Sequence, residues 1–322
     1  MRTVHQPPPG ILGAKDVLLV NPLAGGGRGS AAVRVLREFA DRRRWTVEIY
    51  VTANADDFAR AARQAAERGR RIFSLGGDGT FQLLLNAVRA HPQSILGVIP
   101  AGGGNDFATA LGLPRDPLQS AALLLEGEIC EVDVLEARCS EGTERFYIGG
   151  GGVGLDAEAV RHANGAYRYL PGRTRYVLSA IRALSGFRPP WARVTLGGKE
   201  SKTVEMPALL VGALNTSTYG GGLGLAPDAE IDDGNLDVVV LEDLGAVEIL
   251  RLLPALAFRG KFETDRIHRF RVPQVRIETE RPCSFHGDGE LLGSTPVEIA
   301  VLPRAVRVVR PARKSRISGS PQ

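Results

Sequence analysis

Lysine is scarce in this sequence. Five occur in 322 residues, at Lys15, Lys199, Lys202, Lys261 and Lys314, so thirty-five of the 40 basic residues are arginine. None of the five lies in a glycine-rich loop, which excludes a Walker A phosphate loop, because that motif ends in Gly-Lys-Ser/Thr. Cysteine is rarer still: Cys130, Cys139 and Cys283 form no Cys-x-x-Cys pair, which argues against a disulfide framework or a zinc site. No apolar run approaches the roughly 20 residues needed to cross a bilayer. The opening MRTVHQPPPG lacks the apolar stretch of a signal peptide, so a cytoplasmic location is expected. Charge of one sign is also in short supply. The net value is +4 with 43% hydrophobic residues, unlike a disordered chain. The length suits two packed cores.

What charge excess there is lies in patches. Arg310, Arg313, Lys314 and Arg316 occupy an acid-free terminus, and residues 161–188 hold six arginines and no acid. Residues 251–276 hold seven basic residues against Glu263 and Asp265. The tails, 1–13 and about 312–322, are rich in Pro, Gly, Ser and charge and read as disordered.

Between the tails the first half alternates strand and helix. Apolar runs at Asp16–Asn21, Thr46–Val51, Arg71–Leu75 and Ile95–Pro100 read as strands, and Ser30–Arg42, Asp56–Arg68 and Thr80–Arg89 carry helical periodicity. This is the rhythm of an open, mostly parallel α/β sheet. After about residue 128 the texture becomes β-rich, with runs at Glu131–Ala137, Arg145–Gly149, Ala192–Leu196, Met206–Ala213, Leu236–Leu241, Gln274–Thr279, Val297–Val301 and Ala305–Val309. Helical stretches interrupt them near Arg173–Ser185 and Ala246–Phe258, which predicts an antiparallel sandwich or barrel carrying two helices.

Three glycine-rich loops each follow an expected strand and precede a helix: Asn21 to Ser30 (NPLAGGGRGS), Gly76 to Thr80 (GGDGT) and Gly102 to Asp106 (GGGND). In a parallel sheet all three lie at the carboxyl ends of strands, where ligands bind. Glycine lets backbone N–H groups approach phosphate oxygens, and the helix behind each loop favours an anion. Asp78, set among phosphates, would be repelled unless a cation stood between them, so the loop implies Mg²⁺; the plainer role is to cap the next helix. A Gly-x-Gly-x-x-Gly match at Gly149, Gly151 and Gly154 opens the β-rich half, with no acid about 20 positions on to hold a ribose. It is set aside as a dinucleotide site.

Two further acidic clusters stand out. Glu230 to Asp237 (EIDDGNLD) is either a plain hairpin turn or a hard-cation site using Asp233 and nearby carbonyls. In His286 to Glu290 (HGDGE), an extended segment would put Asp288 and Glu290 on one face. Such a pair keeps one carboxyl pKa raised, as suits a base that takes a hydroxyl proton.

These pieces together resemble the diacylglycerol kinase catalytic-domain family, in its soluble bacterial lipid-kinase branch, related to sphingosine and ceramide kinases and distantly to NAD kinase. The matching stretches run from NPLAGGGRG through GGDGT, GGGNDFA (102–108), GGVGLDAE (151–158) and YGGGLGLAPDAEIDDGNLDVV (219–239) to HGDGE. The resemblance implies an α/β ATP-binding domain over 14–130 and about 303–311, with a β-sandwich lipid-substrate domain over 131–302 whose chain ends by returning to the first. It implies ATP lying across Asn21, Pro22, Leu23, Ala24 and Gly25, then Thr52, then Gly76, Gly77, Asp78, Gly79, Thr80, Phe81 and Gln82. The loop with Gly103, Asn105 and Asp106 lies beside it. Glu290 becomes the proton acceptor, with Asp78 and Asp288 as catalytic companions. A structural magnesium falls to Asp233 with Glu230 and Asn235. Gly103 stands where the family loop carries a threonine that reaches the nucleotide. The implied reaction is ATP- and Mg²⁺-dependent phosphorylation of a diacylglycerol-like lipid at a membrane surface. Arg173, Arg175 and Arg182 would be among the docking charges. No nucleic-acid partner is expected, and a homodimer is compatible with this reading. The alternatives are a sphingoid-base or NAD-kinase-like enzyme, or an inactive nucleotide-binding regulator.

Overall fold

The computed structural model describes residues 16–142, 144–167, 172–198, 201–245, 248 and 265–312, without the side chains of 172–177. Apart from residues 248 and 312, the helix expected over 246–258 and the expected tails lie outside the described residues.

β1 (Asp16–Val20) is buried at all five positions, as a strand covered on both faces requires. α1 (Arg28–Arg43) follows, burying Leu36, Phe39 and Ala40, and leads into β2 (Val47–Val51). α2 (Ala55–Glu67) starts at Asn54, whose side chain accepts the Asp57 N–H, and buries Phe58, Ala62, Ala65 and Ala66. That cap and that spacing are what an amphipathic helix needs. β3 (Arg71–Gly76), α3 (Asp78–Ala87) and β4 (Ile95–Pro100) complete the alternation. The strands pair in parallel in the order β4-β3-β1-β2, so the residues after β1, β3 and β4 share one edge. At the opposite end the buried Asp16 carboxylate accepts Trp45 Nε1–H at 2.6 Å and the Arg71 guanidinium at 2.7 Å.

In the first half two helices go beyond the sequence reading, and in the β-rich half the helix over Leu155–Asn164 is a third. α4 (Asp106–Ala110) has five residues, too few to show a period. α5 (Pro117–Leu125), capped by Asp116, is nearly continuous in apolar residues, so it shows little periodic contrast.

The β-rich half contains β5 (Glu128–Arg138), β6 (Glu144–Tyr147), β7 (Gly150–Gly154), α6 (Leu155–Asn164), α7 (Gly172–Leu184), β8 (Trp191–Gly197), β9 (Lys202–Leu214), β10 (Leu236–Glu242), β11 (Ile267–Val272), β12 (Gln274–Thr279), β13 (Ser284–Gly287), β14 (Glu290–Ser294) and β15 (Val297–Arg310). β9 joins two antiparallel layers: its first half pairs with β8, its second with β7 and β10. Leu135, Tyr147, Val194, Val211, Val240, Ile277, Phe285 and Ile299 fill the core between them. The two expected last strands are one strand, β15, with a register shift against β5 between Leu302 and Val306. Its end pairs in parallel with β4 through Arg307 and Val308, so the chain does return to the first sheet.

The Gly-x-Gly-x-x-Gly match lies in β7 and its flanks. A Cβ on Gly151 would stand 2.3 Å from the His286 carbonyl oxygen, and one on Gly154 2.4 Å from that of Leu209. These glycines permit close strand packing.

Candidate active site

The three glycine loops meet at the shared edge. A Cβ on Gly25 would fall 2.0 Å from the Ala101 carbonyl oxygen, and one on Gly102 2.4 Å from Gly77 Cα. Gly25, Gly26 and Gly27 all have positive φ, at 59°, 74° and 96°, which explains the run of three glycines. Asn21 holds the first loop: its Oδ1 accepts the Leu23 N–H and its Nδ2 donates to Thr80 Oγ1, both at 3.1 Å. Arg28 ties that loop to the third, donating to the Gly102 carbonyl at 2.7 Å. Asn105 closes the third loop on itself through the Gly102 N–H at 2.9 Å.

Not every residue expected near ATP presents its side chain there. Phe81 is fully buried and packs on Phe107 with ring centroids 4.8 Å apart. Gln82 is buried as well, and Thr52 spends its hydroxyl on the Val20 carbonyl at 2.9 Å. Ala24 is buried, half-buried Pro22 accepts Ser30 Oγ–H on its carbonyl, and Leu23 is 82% exposed at the loop tip. Gly76 allows Thr80 to close in, since a Cβ there would lie 2.4 Å from Thr80 Oγ1. Gly103 sits in the third loop beside Gly221.

Carboxylates from both halves converge on this edge. Asp78, in the first turn of α3, accepts the Phe107 N–H at 3.0 Å, so it caps α4 rather than its own helix. Asp106 reaches the β-rich half, where its two oxygens accept Thr218 Oγ1–H at 2.8 Å and the Gly221 N–H at 2.9 Å. Burial, then the Asp106 charge, push the Asp78 pKa up to about 6. Burial also raises Asp106.

Asp288 departs from the expected extended geometry. Asp288 and Gly289 are the two central residues of the β13–β14 hairpin, with φ of 50° and 85°. Positive φ at both is the signature of a type I′ turn. The alternation that would put Asp288 and Glu290 on one face therefore does not operate. Asp288 turns inward and accepts the N–H groups of Ile148, Gly149 and Gly150 at 2.9, 2.9 and 3.2 Å. Burial, then the Asp78 charge, raise its pKa to about 7. Glu290 is exposed, and its Oε1 lies 3.3 Å from where a Gly79 Cβ would be. The hairpin thus sets Glu290 against the GGDGT loop while Asp288 anchors the turn.

Both raised pKa values imply a pH-dependent stability. Ionising these carboxyls costs the folded state, so their contribution is full below about pH 4 and is lost as pH rises through about 6 to 7. Without divalent cations the melting temperature is expected to fall between about pH 5 and about pH 8, and Mg²⁺ to raise it more at the upper end. A flat profile in differential scanning fluorimetry would show that these carboxylates do not converge as described.

Sequence reasoning missed a buried network below the hairpin. Tyr219 Oη lies 2.5 Å from Asp156 Oδ2 and 2.6 Å from His286 Nε2, and Nε2 is 3.1 Å from the same Asp156 oxygen. His286 Nδ1 is buried without a partner. The available signal was the presence of Asp156, Tyr219 and His286 within three motifs already singled out. Elsewhere, the expected metal turn has Asp233 Oδ1 accepting the Asn235 N–H at 2.9 Å, and Oδ2 3.6 Å from Arg271 Nη1. Glu230 lies in the same turn segment, and Asp133 fastens that turn to β15 by accepting the N–H groups of Gly234 and Arg304, each at 2.7 Å.

Comparison with known proteins converges on one family. Residues 15–137 match the diacylglycerol kinase catalytic domain, and residues 151–310 match the YegS C-terminal NAD kinase beta sandwich-like domain. A protein of Mycobacterium tuberculosis (strain ATCC 25618 / H37Rv) named diacylglycerol kinase is 31% identical over 300 residues, covering 92% of this chain and 95% of its own. The chain belongs to the diacylglycerol kinase family. The kinase is also 29% identical over 286 residues to the diacylglycerol kinase of Bacillus subtilis (strain 168), with 88% and 91% covered. It is 30% identical over 274 residues to a Stenotrophomonas maltophilia (strain K279a) protein named "Probable lipid kinase YegS-like", with 83% and 87% covered. The crystal structure of a Bacillus anthracis str. Sterne diacylglycerol kinase shares its fold, with a TM-score of 0.68 at 23% identity over 92% of this chain and 97% of the other. The chain is therefore a lipid kinase, and among its described residues no helix is long and apolar enough to cross a membrane.

Proposed function

We propose that this lipid kinase moves the γ-phosphoryl group of ATP to the hydroxyl of a diacylglycerol-like lipid, working at a membrane surface from the cytoplasm. The observation that carries the reading is the placement of Glu290, from the β-rich half, beside Gly79 at the start of α3. A base on one side of a cleft and a phosphate-cradling loop on the other are what transfer to an alcohol needs.

The roles divide by geometry. The three loops offer backbone N–H groups and the N-termini of α1 and α3 to the phosphates. Glu290 takes the hydroxyl proton as the oxygen attacks phosphorus, and ADP departs. Asp106 holds the two halves in register through the Thr218 hydroxyl and the Gly221 N–H that it accepts, while Asp288 anchors the hairpin within the β-rich half.

The donor chemistry also fits Mg²⁺. Burial and then the Asp106 charge raise Asp78, burial and then the Asp78 charge raise Asp288, and hard carboxylate oxygens are the ligands this ion prefers. Among the described residues no three His, Cys, Asp or Glu side chains form a cage for a metal, so Asp78 would hold the ion with water and phosphate oxygens completing its shell. Bound there, magnesium would neutralise charge on the transferring phosphate. A second, structural cation at Asp233, with the Glu230 and Asn235 carbonyls, would have to share that carboxylate with Arg271.

Purified protein incubated with labelled ATP and a total lipid extract is expected to yield one labelled lipid that comigrates with a phosphorylated diacylglycerol. A labelled sphingoid base, or label in added NAD instead, would overturn the acceptor assignment. No transfer to any acceptor, with nucleotide still bound, would indicate a regulator.

A further inference from the structure

Beside the hairpin that carries Glu290, α6, α7 and the lead-in to β13 enclose a cavity of about 400 Å³. Among the described residues four arginines line it, Arg161, Arg182, Arg188 and Arg281, together with His162 and one acid, Glu158. Glu158 is already paired with Arg161 at 2.7 Å. Four positive charges less one negative leave an excess of three. Arg281 is held by donating to the Arg188 carbonyl at 2.5 Å. Guanidinium groups gathered in a concavity without matching acids repel one another, and the anion that suits their planar forks is a phosphate.

The neighbourhood of the cavity favours a lipid source for that phosphate. On α7, Leu178 and Ile181 are 39% and 52% exposed, four residues and one residue before cavity-lining Arg182. Apolar side chains set beside arginines suit an interface where acyl chains meet charged headgroups. The volume holds a headgroup and no more of a lipid. The cavity is also linked to the reaction site, because α6 supplies Arg161 to it and ends at Asn164, whose Nδ2 donates to the Gly289 carbonyl at 3.1 Å. Three residues along a helix separate the two positions by about 4.5 Å of axis.

We propose that this cavity takes the phosphate of an anionic phospholipid, distinct from the acceptor, and so sets the bilayer surface level with Glu290. The inference rests on the reading of the enzyme as acting on a membrane lipid. Of the arginines expected to dock, Arg182 enters the cavity, while the side chains of Arg173 and Arg175 lie outside the described residues.

The test is sedimentation of the full chain with phosphatidylcholine vesicles, with and without phosphatidylserine, alongside phosphorylation of detergent-dispersed diacylglycerol. The double variant Arg182→Glu/Arg188→Glu is expected to lose about tenfold or more in association with the anionic vesicles. It should keep its kcat on dispersed lipid and its melting temperature. Arg63→Glu, an exposed arginine on α2, should change neither. If the double variant does not fold, Arg188→Gln alone should still weaken association measurably. Equal vesicle binding by wild type and the arginine variants overturns the proposal, whatever the kinase assay shows. Tight binding of inorganic phosphate without vesicle association overturns the lipid source. Charge-dependent vesicle binding with no lipid phosphorylated upholds the docking site and overturns the acceptor reading instead.

Discussion

Glu290→Gln is expected to lower kcat by about 10²–10⁴, the range typical of losing a positioned general base, with nucleotide affinity nearly unchanged. Glutamine keeps the shape and the position at the start of β14 and removes only the capacity to accept the hydroxyl proton. The side chain is exposed at the rim of the cleft, so the fold does not depend on its charge, and the melting temperature should hold. Steady-state kinetics with ATP and lipid varied separately distinguish the roles. A raised KM for ATP at constant kcat would make Glu290 a nucleotide contact and place the base elsewhere.

Asp78→Asn should have the larger effect, reducing turnover to background while the protein stays folded. Its carboxylate does two things in the structure: it accepts the Phe107 N–H at 3.0 Å, and it brings negative charge to the loop edge. Asparagine can keep the first through its amide oxygen but not the second. Loss of the charge weakens any Mg²⁺ held beside the phosphates and also relieves the repulsion that, after burial, raises Asp288. The variant is therefore expected to be inactive, to melt at a similar or higher temperature near neutral pH, and to lose the steep response of melting temperature to Mg²⁺. Activity near that of the native enzyme would exclude Asp78 from metal binding, and a large fall in melting temperature would show that the α4 cap dominates.

A great deal of this protein could be read from its sequence, and the reasons are local. Buried parallel strands read as short apolar runs, and four of them appear within a residue or so of their observed limits, from β1 to β4. The glycine loops are legible because phosphate approach and tight turns both require residues without a Cβ. The motifs carry the family only together, from NPLAGGGRG and GGDGT through GGGNDFA and the segment over 227–237 to HGDGE.

Tertiary structure decided the rest. Whether Asp288 is catalytic or structural depends on a hairpin turn. Periodicity cannot see a turn of two residues with positive φ, and only the fold brings Ile148, Gly149 and Gly150 to meet that carboxylate. Phe81 and Gln82 directly follow the GGDGT motif, yet both are buried, Phe81 against Phe107 of α4. β7, glycine at every position but Val153, has almost no side-chain pattern to read, and its strand exists because β9 and β13 supply partners on both sides. The cavity arginines come from positions 161, 182, 188 and 281, and the Asp156–Tyr219–His286 network spans 130 residues. Chemistry carried by a contiguous motif was determined by sequence alone, whereas chemistry assembled from distant strands became visible only when long-range pairing set the distances.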